Sequence, residues 1–494
     1  MNADQSRMPL LEALTRMQAV ERVSLHTPGH KRGSGLPAAF ARLAWPLAAW
    51  DATEIPGLDD LYDPHGPLRE AQDLAARAFG SESAHFLVGG ATAGNLAAVL
   101  AALRPGDLAL VARGAHQSVW RALDLARARV VPLWPRVLRR GGAAYLGPLA
   151  AGTVAAALRA HGDAAALIVT SPTYHGAVSD VSALAAAAHA AGAAVVVDEA
   201  HGAHLPFHPA LPPSAVSAGA DLVVHSLHKM TAALTQTGLL HMCGGRMDRG
   251  RVSAALRTVQ TSSPSYLLMA SIDAVRAQLA TDGERLLTAL LAALSAGAER
   301  LRACAPGLLA APAPADVEAL RCDPCKWTLD AAALGCAGSE LAAKLRERYG
   351  IFAELYDERH VLLLWTYGNG VYDVERTVSA LAGLHDGRPA AAVRPAGGCG
   401  ADALTAAADE FAGVFPVIHP FTGRERIARA PLAAAAGREL AEAIVPYPPG
   451  IPLALRGEPL PAGMIPRVAR LAAAGVRVDG VDAEGCVRYV EERE

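Results

Sequence analysis

From about residue 68 to 245 the chain alternates short apolar runs with Ala/Leu-rich stretches, and that alternation restricts the fold more than any other feature. Ala84–Val88, Leu108–Val111, Arg129–Leu133, Ala166–Thr170, Ala193–Val197, Asp221–His225 and Leu239–Met242 read as strands. Gly94–Leu103, Thr153–His161 and Val181–Ala191 read as helices between them. Strands buried on both faces and joined through helices predict an α/β layer with a mainly parallel sheet. Such sheets bind ligands beyond the C-terminal ends of their strands, so chemistry is to be sought in the residues that follow each run.

The remaining segments are of other kinds. Leu10–Val20 reads as a helix, followed by the turn-rich His26-Thr27-Pro28-Gly29-His30-Lys31. Ser265 to about Ala303 reads as one long helix, which a Pro/Ala-rich break ends at Ala305–Pro314. A second mixed unit holds Lys326–Leu329, Ser339–Tyr349, His360–Thr366 and Val374–Leu384. Asp386–Gly400 reads as a linker, and the final unit carries the run Pro446-Tyr447-Pro448-Pro449-Gly450-Ile451-Pro452. A chain of 494 residues exceeds what one core serves. We divide it into an N-terminal segment (1–60), a large domain (61–303), a small α/β domain (304–387) and a C-terminal domain (388–494).

Composition excludes several classes. With 52% apolar and 19% charged residues the chain is not disordered. A net charge of -3 offers no basic field to a nucleic acid or an anionic membrane. The most apolar stretch, Leu184–Val197, runs for about 14 residues where a membrane span needs roughly 20. No basic segment followed by an apolar one opens the chain, and the seven cysteines have no regular spacing. A cytoplasmic protein without membrane or nucleic-acid partners is expected.

Lysines are scarce: Lys31, Lys229, Lys326 and Lys344 account for all of them, and arginine supplies the other basic charge. A retained lysine therefore merits inspection, because arginine serves as surface charge equally well but cannot form a Schiff base. Lys229 follows Val224-His225-Ser226-Leu227-His228 directly after a predicted strand, with Thr235-Gln236-Thr237 downstream. A lysine there can form an imine with an aldehyde cofactor, while hydroxyls and backbone N–H groups hold a phosphate; position alone equally allows a surface lysine. Asp198, in Val195-Val196-Val197-Asp198-Glu199-Ala200-His201, closes the preceding strand, where a carboxylate can sit against a pyridinium nitrogen or simply cap a turn. Asp198-Glu199-Ala200-His201 also spells a helicase box, but no lysine follows a glycine as a phosphate-binding Gly-x-x-x-x-Gly-Lys-Ser/Thr loop demands. Gly89-Gly90-Ala91-Thr92-Ala93-Gly94-Asn95 forms a small-residue turn into a helix, a ready anion site. His116, in Arg113-Gly114-Ala115-His116-Gln117-Ser118, could stack on a flat cofactor or be a polar loop residue.

Taken together these segments resemble the Orn/Lys/Arg decarboxylases, enzymes dependent on pyridoxal 5'-phosphate (PLP), in the short form that lacks an N-terminal wing domain. Ser226-x-His228-Lys229 with Thr235-Gln236-Thr237 matches the attachment signature of that family. The likeness extends over His26–Lys31, Gly90–Asn95, His116–Ser118, Ser171-Pro172-Thr173-Tyr174-His175-Gly176, Asp198–His204, Thr261–Tyr266 and Pro446–Pro452. It implies the PLP-dependent transferase fold type I: a large domain around a mainly parallel seven-stranded sheet flanked by helices, plus smaller C-terminal α+β domains. It implies decarboxylation of arginine, lysine or ornithine to agmatine, cadaverine or putrescine plus CO2, in a homodimer or larger homo-oligomer with the site at the interface.

Residue by residue, the resemblance makes Lys229 the cofactor's covalent anchor and Asp198 the partner of its ring nitrogen. His116 stacks over the ring, Ala200 packs beneath it, and His201 belongs to the same pocket. Thr92, Ala93, Ser226 and His228 surround the phosphate, and Ser262 reaches the phosphate of the neighbouring subunit. Lys229 or His228 returns a proton to the substrate, and Thr173 and Glu354 are candidates for holding it. Gly238 stands where the signature prefers Ser, Thr or Ala, Gly89-Gly90-Ala91 replaces an Asn-Gly-Thr lead-in, and Gln117 replaces a common Lys. An aminotransferase, an aldolase or lyase of the same fold, and a non-catalytic PLP-binding protein remain alternatives. No metal is expected: Cys322-Asp323-Pro324-Cys325 supplies two of the four ligands of a structural zinc, and His201, His204 and His208 read as pocket or loop residues.

Overall fold

The computed structural model describes residues 4–140, 143–313, 315–316, 321–385, 413–447, 450–473 and 475–492. The expected linker Asp386–Gly400, and the boundary at its edge, lie outside the described residues. Helices α1 (Pro9–Val20), α2 (Ala38–Ala48) and α3 (Pro67–Phe79) precede strand β1 (Ser83–Leu87) and helix α4 (Gly90–Ala102). Then come β2 (Leu108–Ala112), α5 (Gln117–Ala126), β3 (Arg129–Leu133), the hairpin β4 (Val137–Arg140) and β5 (Ala143–Leu146), α6 (Ala151–Ala160), β6 (Ala164–Thr170), α7 (Val181–Ala190) and β7 (Ala194–Asp198). After these follow β8 (Leu222–Ser226), the one-turn α8 (Leu227–Met230), β9 (Gly238–Met242), α9 (Arg249–Val259) and the 39-residue α10 (Tyr266–Cys304).

All seven strands expected for the large sheet form, and they hydrogen-bond in the order β1-β9-β8-β7-β6-β2-β3. β2 pairs in parallel with β3 and β6, as β7 does with β8; β9 runs antiparallel to both β8 and β1. The apolar runs earn their central places, since Leu108, Leu110 and Val111 are wholly buried, as are Val223 and Val224. The helices stop and start where their sequences dictate. α3 opens on Pro67, which needs no N–H partner in the first turn, and closes on left-handed Gly80. α7 is capped by the Asp180 carboxylate, which accepts from Ala183 N–H at 2.9 Å. The hairpin β4–β5 is an element that the sequence reading did not contain.

The chain comprises two compact units. The first (1–102, 196–209 and 213–286) packs Leu10, Leu14, Leu68, Phe79, Phe86, Leu239, Tyr266 and Ile272 into one apolar cluster. Within it α4 lies directly on the sheet: a Cβ on Gly94 would stand 2.6 Å from Val224 Cγ1 and 2.7 Å from Leu87 Cδ1. Gly94→Ala should therefore destabilise the protein. Overpacking costs about 1–3 kcal/mol, against a gain in helix propensity of up to about 1 kcal/mol. A fall in melting temperature checks this; an unchanged or higher Tm would mean that the helix moves away without cost.

The second unit (103–195, 210–212 and 287–494) contains a four-stranded antiparallel sheet, Leu309–Ala311, Lys326–Asp330, His360–Leu364 and Leu355–Tyr356, with helices Gly338–Tyr349 and Val371–His385. Its C-terminal part has a core of its own around Leu432, Leu440, Ile444, Leu460, Val468 and Val487. Among the described residues no helix is long and apolar enough to cross a membrane.

Candidate active site

In the first unit two parallel strands deliver the main groups. β7 ends on Asp198, which lies opposite Val224 of β8; β8 ends on Ser226, and the short turn α8 carries His228 and Lys229. Asp198 is 3% exposed. Its Oδ2 accepts from the Asn95 amide at 3.0 Å and its Oδ1 from Ala200 N–H at 3.1 Å. Two donors on a buried carboxylate satisfy half its acceptor capacity, leaving each oxygen able to take one further donor. Asn95 sits inside α4, so helix and strand jointly fix the angle of that carboxylate. Lys229 Nζ donates to His201 Nε2 at 3.2 Å, and Ala200 is buried beside it in sequence. His228 Nδ1 lies 3.3 Å from both Ser226 Oγ and the Thr237 carbonyl. Because a carbonyl only accepts, that contact places a proton on Nδ1.

The turn into α4 lies against the backbone of the loop before β9. Gly90 adopts φ +67° and donates its N–H to Gln236 O at 2.9 Å. Gln236 itself stands at φ +80°, a conformation that costs a residue with a Cβ about 1–3 kcal/mol and is often found where function demands it. Gly238 completes this close approach: a Cβ there would meet His225 O at 2.7 Å and Ala91 N at 3.3 Å. The departure from the Ser, Thr or Ala of the attachment signature thus has a steric reason in this chain. Thr92 is exposed and Ala93 buried in the first turn of α4, whose N-terminal dipole favours an anion. Ser262 is exposed on the stretch between α9 and α10.

Beneath these residues runs a buried polar chain that the sequence reading missed. Glu199 Oε2 accepts from His225 Nε2 at 2.7 Å and from the Ser214 hydroxyl, while Oε1 accepts from Ala215 N–H at 2.8 Å. His225 Nδ1 lies 3.1 Å from His241 Nε2, and His241 Nδ1 lies 2.9 Å from Ser81 Oγ. Burial, reinforced by the neighbouring imidazole of His225, holds the His241 pKa well below the usual histidine range. A neutral His241 accepting from Ser81 and donating to His225 leaves His225 to donate to Glu199, so each member is paired. The available signal was the presence of His225 and His241 inside otherwise apolar strands, where a polar group must find a partner.

His116, Thr173 and Glu354 belong to the second unit. His116 caps α5, its Nδ1 accepting from Ser118 N–H at 3.2 Å and lying 2.8 Å from Ser118 Oγ. Thr173 follows β6 and its hydroxyl accepts from Ala177 N–H at 3.1 Å. Glu354 is exposed, with its backbone N–H bonded to Leu362 O. In the same unit Cys322 and Cys325 are buried, and burial together with Asp323 pushes the Cys325 thiol well above its ordinary value, which keeps it protonated.

Comparison with known proteins gives a consistent picture. A model of the Orn/Lys/Arg decarboxylase major domain matches residues 8–304. The Bacillus subtilis protein YaaO, of uncharacterised activity, is 36% identical, the match covering 98% of this chain and 99% of that protein. The arginine decarboxylase of the same organism is 32% identical over 96% of each chain. Among solved structures, lysine decarboxylase A from Pseudomonas aeruginosa superposes with a TM-score of 0.78 at 21% identity, covering 98% of this chain and 81% of that one.

Proposed function

Because the chain belongs to the Orn/Lys/Arg decarboxylase family, PLP-dependent enzymes that decarboxylate basic amino acids, we propose that its substrate is arginine and its product agmatine. Relatives that match this chain over almost their whole length, at 31–33% identity, bear the name arginine decarboxylase. The lysine decarboxylase of Pseudomonas aeruginosa matches it at 28% identity over only 55% of this chain.

The observation that carries the site assignment is the pairing of β7 with β8, which sets a fixed carboxylate and a lysine at adjacent strand ends. These residues suit PLP. Lys229 is the attachment point, and Asp198 has acceptor capacity left to hold a proton on the ring nitrogen. The N-terminus of α4 with Thr92 and Ala93, together with Ser226 and His228, forms the cradle for the phosphate. By the family resemblance His116 would stack on the ring and Ala200 would pack beneath it, while His201 would position the Lys229 amine. When bound, PLP supplies an electron sink for the pair left on Cα as CO2 departs. The chain holds the ring charged through Asp198, orients the substrate, and returns a proton to Cα from Lys229 or His228. Thr173 and Glu354 remain the substrate-side candidates.

The working form on this reading is a cytoplasmic homodimer, with Ser262 of one protomer reaching the phosphate site of its partner. Exposed apolar side chains near the N-terminus support it: Leu25 is 89% exposed, Leu43 79% and Trp45 51%. The division at 60, 303 and 387 is part of the same proposal, and the family match ending at residue 304 supports its middle boundary. Substrate choice is tested by CO2 release from arginine, lysine and ornithine, with diaminopimelate and neutral amino acids as controls. Arginine should lead in kcat/KM by at least about tenfold, since a site built around a guanidinium leaves polar groups unpaired with a shorter amine. A lead for lysine or ornithine would overturn arginine as the substrate.

A further inference from the structure

The loop carrying His116 is held on both flanks by a segment more than 330 residues away in sequence, within the same unit. On the near side Arg113, only 3% exposed, donates Nη1 to Pro452 O at 2.8 Å, and Nη2 to Leu453 O at 2.9 Å and Glu458 Oε2 at 3.0 Å. Glu458, 6% exposed, also accepts Leu455 N–H at 2.8 Å. On the far side Gln117 N–H donates to Gly450 O at 2.8 Å. Between these anchors the imidazole meets Gly450 itself: a Cβ there would stand 2.8 Å from His116 Nε2 and 3.1 Å from Cδ2. Gly450 has φ +79°, so both its backbone conformation and the space available require glycine.

We propose that Arg113, Glu458 and Gly450 are positioning residues that clamp the His116 ring, making Gly450–Glu458 a working part of the cofactor site although it does not supply the reacting groups. The proposal rests on the reading of His116 as the ring that stacks on PLP. Physical reasons favour positioning over bulk stability. A buried ion pair adds little net stability compared with apolar packing of the same volume. What it does well is define one geometry, and here four hydrogen bonds and a glycine contact bracket a single imidazole. Nδ1 of that ring is held by Ser118, and the close approach of the Gly450 backbone on the Nε2 side restricts its tilt. A stacking group functions only when held to within about 0.5 Å and 10–20°.

The test is a double-mutant cycle in the holoenzyme between Gly450→Ala and His116→Ala. Its readouts are kcat, KM, the PLP dissociation constant and the visible circular dichroism of the bound cofactor. Gly450→Ala should lower kcat by about 10- to 100-fold, the order expected when a functional group is misplaced by roughly 1 Å. It should weaken PLP binding and flatten the dichroic band while leaving KM within about twofold. In the His116→Ala background the same substitution should cost far less, only what the left-handed backbone at residue 450 exacts from a Cβ. The clamp is overturned if Gly450→Ala leaves the band and kcat unchanged, or if its full penalty persists without the His116 ring. Should His116→Ala itself leave PLP affinity and kcat unaltered, the stacking role fails first and the clamp with it, an outcome distinct from the other two. If Gly450→Ala does not fold, the nearly isosteric Glu458→Gln, which weakens the anchor without adding volume, runs through the same cycle.

Discussion

Lys229→Ala should lose at least about a thousandfold in kcat, because on the proposed assignment it removes both the cofactor's anchor and a candidate proton donor, and proton transfer alone contributes about 10²–10⁴-fold. The side chain is well prepared for both tasks. It sits on the single turn α8 that β8 feeds, and its amine is within 3.2 Å of the buried His201. A primary amine attacks a carbonyl only when unprotonated, and an acceptor imidazole in place of bulk water gives that amine a defined neighbour. Borohydride should fix the cofactor covalently to the unaltered protein, and peptide mapping should place the label on Lys229. The variant should take up PLP weakly and remain unlabelled. Near-normal CO2 release from Lys229→Ala, or a label on Lys31, Lys326 or Lys344, would remove the basis of the site assignment.

Much of this arrangement could be read from the residues, and the reasons are specific. The seven strands were legible because most of their residues are buried and apolar, so that each appears as a short hydrophobic run even where a histidine interrupts it. The direction of β9 was not, since Gly238–Met242 reads the same whether it pairs parallel or antiparallel. The hairpin β4–β5 escaped notice because Val137-Leu138-Arg139-Arg140 has neither the length nor the alternation of a strand. Lys229 and Asp198 stood out through their positions after two runs. Asn95 lay within a quoted segment but had no role assigned; a lone amide among Gly, Ala and Leu on a helix was the available sign that it must have a buried partner. Glu458 carried no local sign at all, since its meaning comes from Arg113, 345 residues earlier.

Asp198→Asn should retain PLP and fold normally yet lower kcat by about 10²–10³-fold, the scale of removing one preorganised electrostatic group from a reaction centre. The substitution is nearly isosteric, so packing between β7 and α4 is preserved. What changes is the charge. A carboxylate stabilises a proton on the ring nitrogen and an amide does not, so the ring loses its capacity to take up the electron pair at Cα. The neighbours sharpen the expectation. Asn95 and Ala200 N–H both donate to Asp198, so an asparagine there must turn one NH2 hydrogen toward a donor or rotate away from it. Either arrangement leaves the ring nitrogen without its anion. KM for the amino acid should change little, because the lost interaction strengthens only as charge develops in the transition state. Measured under saturating PLP, an Asp198→Asn enzyme with an unreduced kcat would show that the carboxylate does no more than tie strand to helix, and the electron-sink role would have to be given up.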